Sequence, residues 1–330
     1  MGHNMGSVLI TGSGGQLAWE LKATLPENRS AAFLSRKQLD IRDTKAVFNL
    51  VKAEQPDVII NAAAYTAVDK AEADPETAYA VNDKGCENLA LACKEHNVIL
   101  IHVSTDFVFD GTNSTPYQTD DHPNPINVYG ASKLAGEKKV AEILGDQATI
   151  IRTAWVYSVH GNNFVKTMLR LMAEKEQLNI VYDQIGTPTW AKGLAKMMWS
   201  LVEKRLSEGK LSEGRKAESP REIMMLRPEY SGTKVIHWTD AGVASWYDFA
   251  LAIQELGIEK GLLKAVIPVR PISSGSYPTP AARPCFSVID KVAAEKASEI
   301  ETIHWRKQLS AMMEELTHNV EERRTITGTK

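Results

Sequence analysis

The chain has 330 residues, and its 38 lysine and arginine residues stand against 41 aspartate and glutamate residues, for a formal charge of −3. This near balance argues against a general nucleic-acid binder and favours small molecules as partners. The cysteines Cys86, Cys93 and Cys285 lack the spacing of a disulfide framework or zinc site, and no apolar run approaches the ~20 residues that cross a bilayer, so a reducing, cytoplasmic location is expected.

In chain order, residues 1–6 are expected to be a leader, after which short apolar runs alternate with helical patterns. The predicted strands are VLIT, AAFL, DVIINAAA, VILIHVST and ATIIRTAWVY, and helices are predicted near 17–25, 44–54, 75–95 and from 129. Strict alternation of strands and helices indicates right-handed crossovers and a parallel sheet covered on both faces. The predicted fold class is α/β, with a Rossmann-like doubly wound parallel sheet over residues 6–155.

The pattern changes after about residue 155, which predicts a smaller α+β lobe over residues 156–330. Helices are predicted near 163–174, 191–204, 245–256 and 305–320, with NIVYD and VIHWTD as short strands. Residues 206–234 contain the near-repeat LSEGK and LSEGR and are predicted to form a charged surface insert. Some segments of this half can also belong to the Rossmann-like sheet of the first half. Ligands are expected at the carboxyl ends of the parallel strands, where the second lobe can close over them.

A glycine-rich turn, TGSGGQLAWEL, joins the first predicted strand to the first helix. Gly12 would allow the tight turn, and Gly15 would allow a pyrophosphate to approach backbone N–H groups where Gln16 and Leu17 open the helix. A glycine pattern alone is weak evidence. Its position in the first strand–turn–helix unit predicts a dinucleotide cofactor.

The choice between NADH and NADPH depends on the end of the second strand, where an acidic residue would hold the ribose 2′-hydroxyl of NAD. The sequence AAFLSRKQLD instead has Ser35 and Arg36 at this point. Arg36 could face the 2′-phosphate of NADPH, which gives NADPH a slight preference. The alternative is an ordinary surface arginine.

Six segments in register make the chain resemble the extended short-chain dehydrogenase/reductases. They are PDVIINAAAYTAVDKAEADPETAYAVN, VSTDFVFDG, NVYGASKLAGEK, RTAWVY with GNNFVKTMLRL, DQIGTPT and YPTPAARP. The glycine turn also has the T-G-x-x-G-x-x-[GA] form of that family. Within it, the chain is similar to reductases of nucleotide-linked deoxysugars. The resemblance implies reduction of the C4 ketone of dTDP-4-dehydro-6-deoxy-L-mannose to dTDP-L-rhamnose, a step towards surface polysaccharide, with NADPH or NADH.

The resemblance also implies the site residues. The catalytic group would be Thr105, Tyr129 and Lys133. Cofactor contacts are expected from Gly12, Gly15, Gln16, Leu17, Arg36, Asp40, Ile41, Ala62, Ala63, Ala64, Tyr129 and Lys133. Substrate contacts are expected from Thr66, Val68, Thr105, Asp106, Trp155, Asn163 and Arg283. Structural roles are the alternative for the alanines, Trp155, Asn163 and Arg283, and core positions are expected for Trp238 and Trp246.

Tyr129 and Lys133 are four residues apart on a predicted helix and therefore share one face. By resemblance, Tyr129 would protonate the carbonyl oxygen, Thr105 would hydrogen-bond it, and Lys133 would also hold the nicotinamide ribose. An ammonium about 5 Å from the phenol contributes roughly 3 kcal/mol at an effective dielectric near 20, which is expected to lower the tyrosine pKa by about two units.

Some relatives are described as bridging a dimer with magnesium through three glutamates. Glu20 matches the first of these, but Lys192 occupies the position of the second, and the segment EIETIHWRKQL offers no clear third. No metal site is therefore predicted, and a homodimer remains possible.

Two alternative functions are open. A nucleotide-sugar epimerase or 4,6-dehydratase of the same superfamily would share the glycine turn and the Tyr/Lys pair; an epimerase retains NAD and needs no added reductant. Dehydratases typically need a further acid pair after the threonine, where this chain has Asp106 and Phe107. The other alternative, a regulatory subunit of methionine adenosyltransferase, would bind NADP without reducing a sugar.

Overall fold

The computed structural model describes residues 6–212 and 232–327, with side chains described over 6–207 and 232–318. The first half contains β1 (Val8–Thr11), α1 (Gln16–Ala23), β2 (Ala31–Leu34), α2 (Thr44–Glu54), β3 (Val58–Asn61), α3 (Val68–Ala73), α4 (Pro75–Tyr79), α5 (Gly85–His96), β4 (Ile99–Thr105), α6 (Val128–Leu144) and β5 (Ala148–Thr153). The second half contains β6 (Val156–Tyr157), α7 (Phe164–Glu174), β7 (Leu178–Val181), β8 (Ile185–Gly186), β9 (Thr189–Trp190), α8 (Ala191–Ser212), β10 (Lys234–Trp238), β11 (Ala244–Ser245), α9 (Trp246–Glu259), β12 (Val269–Ile272), α10 (Val292–Ser298) and α11 (Trp305–Thr327).

The central sheet has six strands in the order β10-β5-β4-β3-β1-β2, and every pair in it is parallel. The predicted doubly wound, Rossmann-like fold is thereby confirmed. The strand order reverses between β1 and β3, because β2 lies on one side of β1 and the later strands lie on the other. In open parallel sheets, the crevice at such a reversal is where ligands bind.

Both faces of the sheet are covered, which is why its strands are apolar runs rather than alternating patterns. Successive side chains of a strand point to opposite faces. Leu9 and Ile59 belong to the cluster with α2, α5 and α6, whereas Val8 and Ile60 pack in the cluster with α1, α8 and α10. The site therefore rests on a sheet held rigidly from both sides.

The later half of the chain contributes to this sheet and also builds a second core. Strand β10 pairs with β5, and α8 packs beside α1. A separate hydrophobic cluster joins α7, α9 and α11 through Met168, Phe249 and Leu309. Among the described residues, no helix combines the length and apolarity needed to cross a membrane.

Several element boundaries differ from the prediction. The helix predicted over 75–95 is divided into α4, a π-helical turn at Ala80–Lys84 and α5. Helix α8 continues past 204 to Ser212. Most of the predicted insert at 206–234 lies outside the described residues.

Candidate active site

A cavity of about 900 Å³ opens at the carboxyl ends of β1, β3, β4 and β5. Its volume lies near the upper end of the range for small-molecule sites, which leaves room for a cofactor and a substrate together. Every predicted cofactor and substrate residue lines this cavity except Arg283. The topology therefore brings together residues that are distant in sequence.

The glycine-rich turn has a shape that only glycine allows. Gly12 has φ +74°, and a Cβ there would lie 2.7 Å from Ala63 N and 2.8 Å from Ala62 O. Gly15 is the N-cap of α1 and supplies no side-chain cap, so the first N–H groups of the helix face outward. These features fit the pyrophosphate of a dinucleotide, because a helix N-terminus with exposed N–H groups attracts anions.

Arg36 and Asp40 line the end of the cavity that follows β2, and Arg42 pairs with Asp40 from outside the lining. The Asp40 carboxylate accepts from Arg42 Nη2 at 2.6 Å, and Arg36 Nε lies 3.5 Å from it. The Arg42 hydrogen bond lowers the pKa of Asp40 to about 2, with smaller contributions from the charges of Arg42 and Arg36. Because Arg42 pairs with Asp40, the guanidinium of Arg36 in the cavity lining fits a phosphate.

Helix α6 lies unusually close to the end of β4. Asn127 caps the helix by accepting from Gly130 N at 2.7 Å. A Cβ on Gly130 would lie 2.1 Å from Phe107 O, and one on Gly136 would lie 2.0 Å from Asn82 O. The glycines of NVYGASKLAGEK therefore allow the approach that places Tyr129 beside Thr105.

Thr105, Tyr129 and Lys133 converge at one wall of the cavity. Thr105 and Tyr129 lie close enough to interact, and Thr105 Oγ1 donates to Asp106 Oδ1 at 3.1 Å. Lys133 is 2% exposed, and its Nζ donates to Val103 O at 2.7 Å. The buried Glu137–Arg152 ion pair, at 2.7 Å, ties the next turn of α6 to β5.

The expected lowering of the Tyr129 pKa is wrong. Burial, with a smaller contribution from the charge of Asp106, raises the pKa of Tyr129 to about 12, and an interaction with Thr105 partly opposes this rise. Burial also lowers the pKa of Lys133, whose ammonium is bonded to Val103. Tyr129 is therefore protonated at neutral pH, which is the state required of an acid that protonates a reduced carbonyl.

Three buried polar atoms at this wall have no hydrogen-bond partner among the described residues: Ser104 Oγ, Asp106 Oδ2 and Thr153 Oγ1. All three residues line the cavity, at or next to the ends of β4 and β5. Burial raises the pKa of Asp106 to about 6, opposed by hydrogen bonds from Ser287 and Thr105. Buried polar atoms without partners are costly, so these atoms fit the amide and hydroxyl groups of a nicotinamide cofactor and a sugar.

Two tryptophans also line the cavity. Trp155 lines the cavity as expected, but Trp246, expected in the core, lines it as well. Their rings are stacked 3.5 Å apart with an interplanar angle of 6°. Sequence reasoning missed Trp246 because WYDF lies 91 residues beyond Trp155 and resembles any amphipathic helix start.

Arg283 is not part of the cavity lining. Its guanidinium forks onto the Asp69 carboxylate at 3.0 and 2.8 Å and also donates to Ala281 O. Asn163 does line the cavity, and it caps α7 by accepting from Lys166 N. Its side-chain amide donates to Gln16 at 2.9 Å, which links the second lobe to the glycine-rich turn.

The residues around Glu20 do not fit the three-carboxylate magnesium site of some relatives. Glu20 is fully buried, and its Oε1 accepts from Ser158 at 2.7 Å and from Trp190 at 3.2 Å. Lys192 Nζ lies 2.5 Å from Glu315. Burial raises the pKa of Glu20, and the nearby charge of Lys192 offsets part of that rise. No group of three metal-ligating side chains occurs among the described residues. An ammonium at this place would repel a divalent cation.

We expect magnesium chloride or EDTA to leave the melting temperature unchanged. Lys192→Glu completes a carboxylate cluster, so magnesium should raise the melting temperature of this variant. The size of the rise is set by the magnesium concentration relative to its dissociation constant. The control Lys196→Glu makes the same charge change one turn along α8, at an exposed position, and should show no rise. A magnesium response of the unmodified protein in thermal unfolding would contradict this account.

Comparisons with known proteins identify relatives of this chain. A family model described as the RmlD substrate binding domain matches residues 5–318. The dTDP-4-dehydrorhamnose reductase of Aggregatibacter actinomycetemcomitans is 38% identical over 92% of this chain and 97% of its own. The dTDP-4-keto-6-deoxy-D-glucose reductase of Streptomyces niveus is 35% identical, with 92% and 94% covered. The crystal structure of the Bacillus anthracis dTDP-4-dehydrorhamnose reductase with NADP has a TM-score of 0.78 and 33% identity, covering 94% of this chain and 99% of that one.

Proposed function

The chain belongs to the RmlD substrate binding domain family, together with the dTDP-4-dehydrorhamnose reductases, and we propose that it reduces the C4 ketone of dTDP-4-dehydro-6-deoxy-L-mannose to dTDP-L-rhamnose. The reductant is NADPH or NADH, with NADPH preferred. The observation that carries the proposal is the convergence of Thr105, Tyr129 and Lys133 beside a glycine-rich turn in one cavity. The product would supply rhamnose for polysaccharide.

In this mechanism, the bound cofactor supplies a hydride to C4. Tyr129 donates its proton to the ketone oxygen, and Thr105 hydrogen-bonds that oxygen and holds the phenol in line. Lys133 binds the nicotinamide ribose and stabilises the phenolate that Tyr129 becomes. Burial lowers the pKa of Lys133, and the charge of Glu137, one turn further along α6, offsets part of that lowering.

The two lobes have different tasks in this proposal. Residues 6–155 chiefly bind the cofactor. The chain from residue 156 onward chiefly binds the sugar nucleotide, except for β10 and the helices that pack on the sheet. Thr66, Val68, Asp106 and Trp155 border the sugar. Arg283 acts indirectly, because its ion pair fixes Asp69 next to Val68.

Arg36→Ala is expected to weaken NADPH binding about tenfold, because the variant loses one charged contact with the 2′-phosphate at an exposed site. NADH has no 2′-phosphate, so its binding should be unchanged. The neighbouring Lys37→Ala removes the same charge outside the cavity lining and serves as the control. Dissociation constants from cofactor fluorescence would measure both effects. Equal weakening of NADPH and NADH by Arg36→Ala would show that this arginine does not recognise the 2′-phosphate.

The proposed function is tested by following nicotinamide absorbance with the 4-keto sugar nucleotide, made in situ, and NADPH or NADH. We expect oxidation of the cofactor in step with dTDP-L-rhamnose formation, and faster reaction with NADPH. An epimerase would be purified with bound NAD and would convert its substrate without reductant. Binding of NADP without oxidation would favour the regulatory subunit instead.

The proposal places the enzyme in the cytoplasm, where its nucleotide substrates occur. The three cysteines are free, as a reducing compartment allows. A homodimer is also part of the proposal, and light scattering of the purified protein would establish its mass.

A further inference from the structure

Trp155 adopts a backbone conformation that is unusual for a bulky residue. It follows β5 by two positions, at the cavity, with φ +47°. Left-handed conformations of bulky residues are strained and persist only where the surroundings impose them. The contacts that impose this conformation on Trp155 therefore indicate the role of its side chain.

Two features hold the Trp155 indole. On one side is Gly186 of β8, where a Cβ would lie only 2.7 Å from Trp155 Cε2. On the other side is Trp246, stacked at 3.5 Å with an interplanar angle of 6°. The Trp155 carbonyl also accepts from Thr189 N at 3.1 Å. The ring is clamped between a glycine backbone and a second indole.

Trp246 is itself firmly placed. It is the first residue of α9, whose N-cap Ser245 forms a reciprocal capping box with Asp248. The preceding strand β11 pairs with β8, the strand that contains Gly186. Phe164 packs against the Trp246 ring with centroids 4.6 Å apart. One local structure therefore sets both sides of the clamp.

We propose that Trp246 is a positioning residue, which holds the Trp155 indole as a flat wall against the apolar C–H face of the deoxyhexose. This inference rests on the proposed function and deepens it. A fixed aromatic plane suits a deoxy sugar, because the sugar presents C–H groups and a methyl group on one side and its hydroxyls elsewhere. Thr105, Asp106 and Tyr129 line the same cavity and would supply the polar contacts.

A purely structural role for Trp246 is the competing explanation. Both indoles are partly exposed at the cavity, whereas Phe249 and Trp305 of the same aromatic cluster are buried and do not line it. A residue that only fills the core would affect stability without changing how the sugar binds. The two roles therefore predict different kinetics.

The test compares Trp246→Ala and Trp246→Phe with the control Trp305→Phe. Trp246→Ala should abolish the near-ultraviolet circular dichroism of the stacked indoles and raise KM for the sugar about tenfold or more. It should leave kcat within about threefold and NADPH affinity unchanged. Trp246→Phe, which keeps an aromatic ring, should restore most of the sugar affinity. Trp305→Phe should leave the near-ultraviolet circular dichroism of the stacked indoles and the KM for the sugar near their original values.

Loss of the dichroism signal without a change in KM would overturn the proposal, as would equal losses of sugar and NADPH affinity. If Trp246→Ala fails to fold, the result with Trp246→Phe decides, because full loss of sugar affinity there would contradict aromatic positioning. If the unmodified protein fails to reduce the sugar, the proposed function has failed. The positioning role of Trp246 is then tested by calorimetry of dTDP-L-rhamnose binding to the same variants. Unchanged affinity for dTDP-L-rhamnose in Trp246→Ala would rule out this role.

Discussion

Replacing Tyr129 with phenylalanine is expected to lower kcat by about 10²- to 10⁴-fold, the usual contribution of general acid catalysis. The variant loses the proton donor but keeps the ring, which packs edge-on against Phe107 at 5.7 Å. NADPH should still bind, because the glycine-rich turn and Lys133 are intact. Steady-state kinetics and cofactor titration separate the two effects.

Tyr79→Phe is the matched control for this experiment. Tyr79 is 37% exposed at the end of α4 and is not part of the cavity lining. It should leave kcat unchanged. Turnover close to normal in Tyr129→Phe would remove Tyr129 from the mechanism, and loss of NADPH binding would mean that its role is structural.

Gly130→Ala is expected to destabilise the protein and to reduce turnover together. A Cβ at this position would lie 2.1 Å from the Phe107 carbonyl oxygen, so α6 must move away from the end of β4. Overpacking of this kind costs about 1–3 kcal/mol, and the shift separates Tyr129 from Thr105. We expect a lower melting temperature and a kcat reduced by about 10²-fold.

The control for this substitution is Gly275→Ala, where the added methyl group would meet only Ser273 Oγ at 3.9 Å. It should change neither the melting temperature nor kcat. If Gly130→Ala melts normally and turns over normally, the close approach of α6 to β4 is not what positions the tyrosine.

Much of the fold could be predicted because its signals are local. The alternation of apolar strands and helices specifies a parallel sheet, and the glycine turn lies where the first strand meets the first helix. The place where β1, β3, β4 and β5 end then follows from topology, which is why Gly12, Ala63, Thr105 and Tyr129 could be expected in one cavity.

The parts that sequence could not predict depend on burial and long-range contact. Helical spacing suggests that Lys133 lowers the Tyr129 pKa, but it does not reveal that the phenol is buried and that the ammonium is bonded to Val103. Likewise, Arg283 finds Asp69 across 214 residues of chain, which removes it from the cavity lining. The stack of Trp155 on Trp246 depends on the packing of β11 against β8. None of these contacts has a local pattern.

The π-helical turn at Ala80–Lys84 is a further example. The side chain of Asn82 in this turn is hydrogen-bonded to Tyr65 and Ser132. The backbone oxygen of Asn82 lies at the place where Gly136 has no side chain. The helical pattern from 75 to 95 reads as continuous. Only the packing of α6 reveals why it is interrupted.

The most direct test of the account follows the hydrogen atoms themselves, using NADPH in which both hydrogens at the nicotinamide C4 position are replaced by deuterium. The account predicts that deuterium appears at C4 of the rhamnosyl ring of the product, as seen by NMR or mass spectrometry, in step with cofactor oxidation. Formation of dTDP-L-rhamnose without deuterium at that carbon, or without cofactor oxidation, would contradict hydride transfer to the C4 ketone.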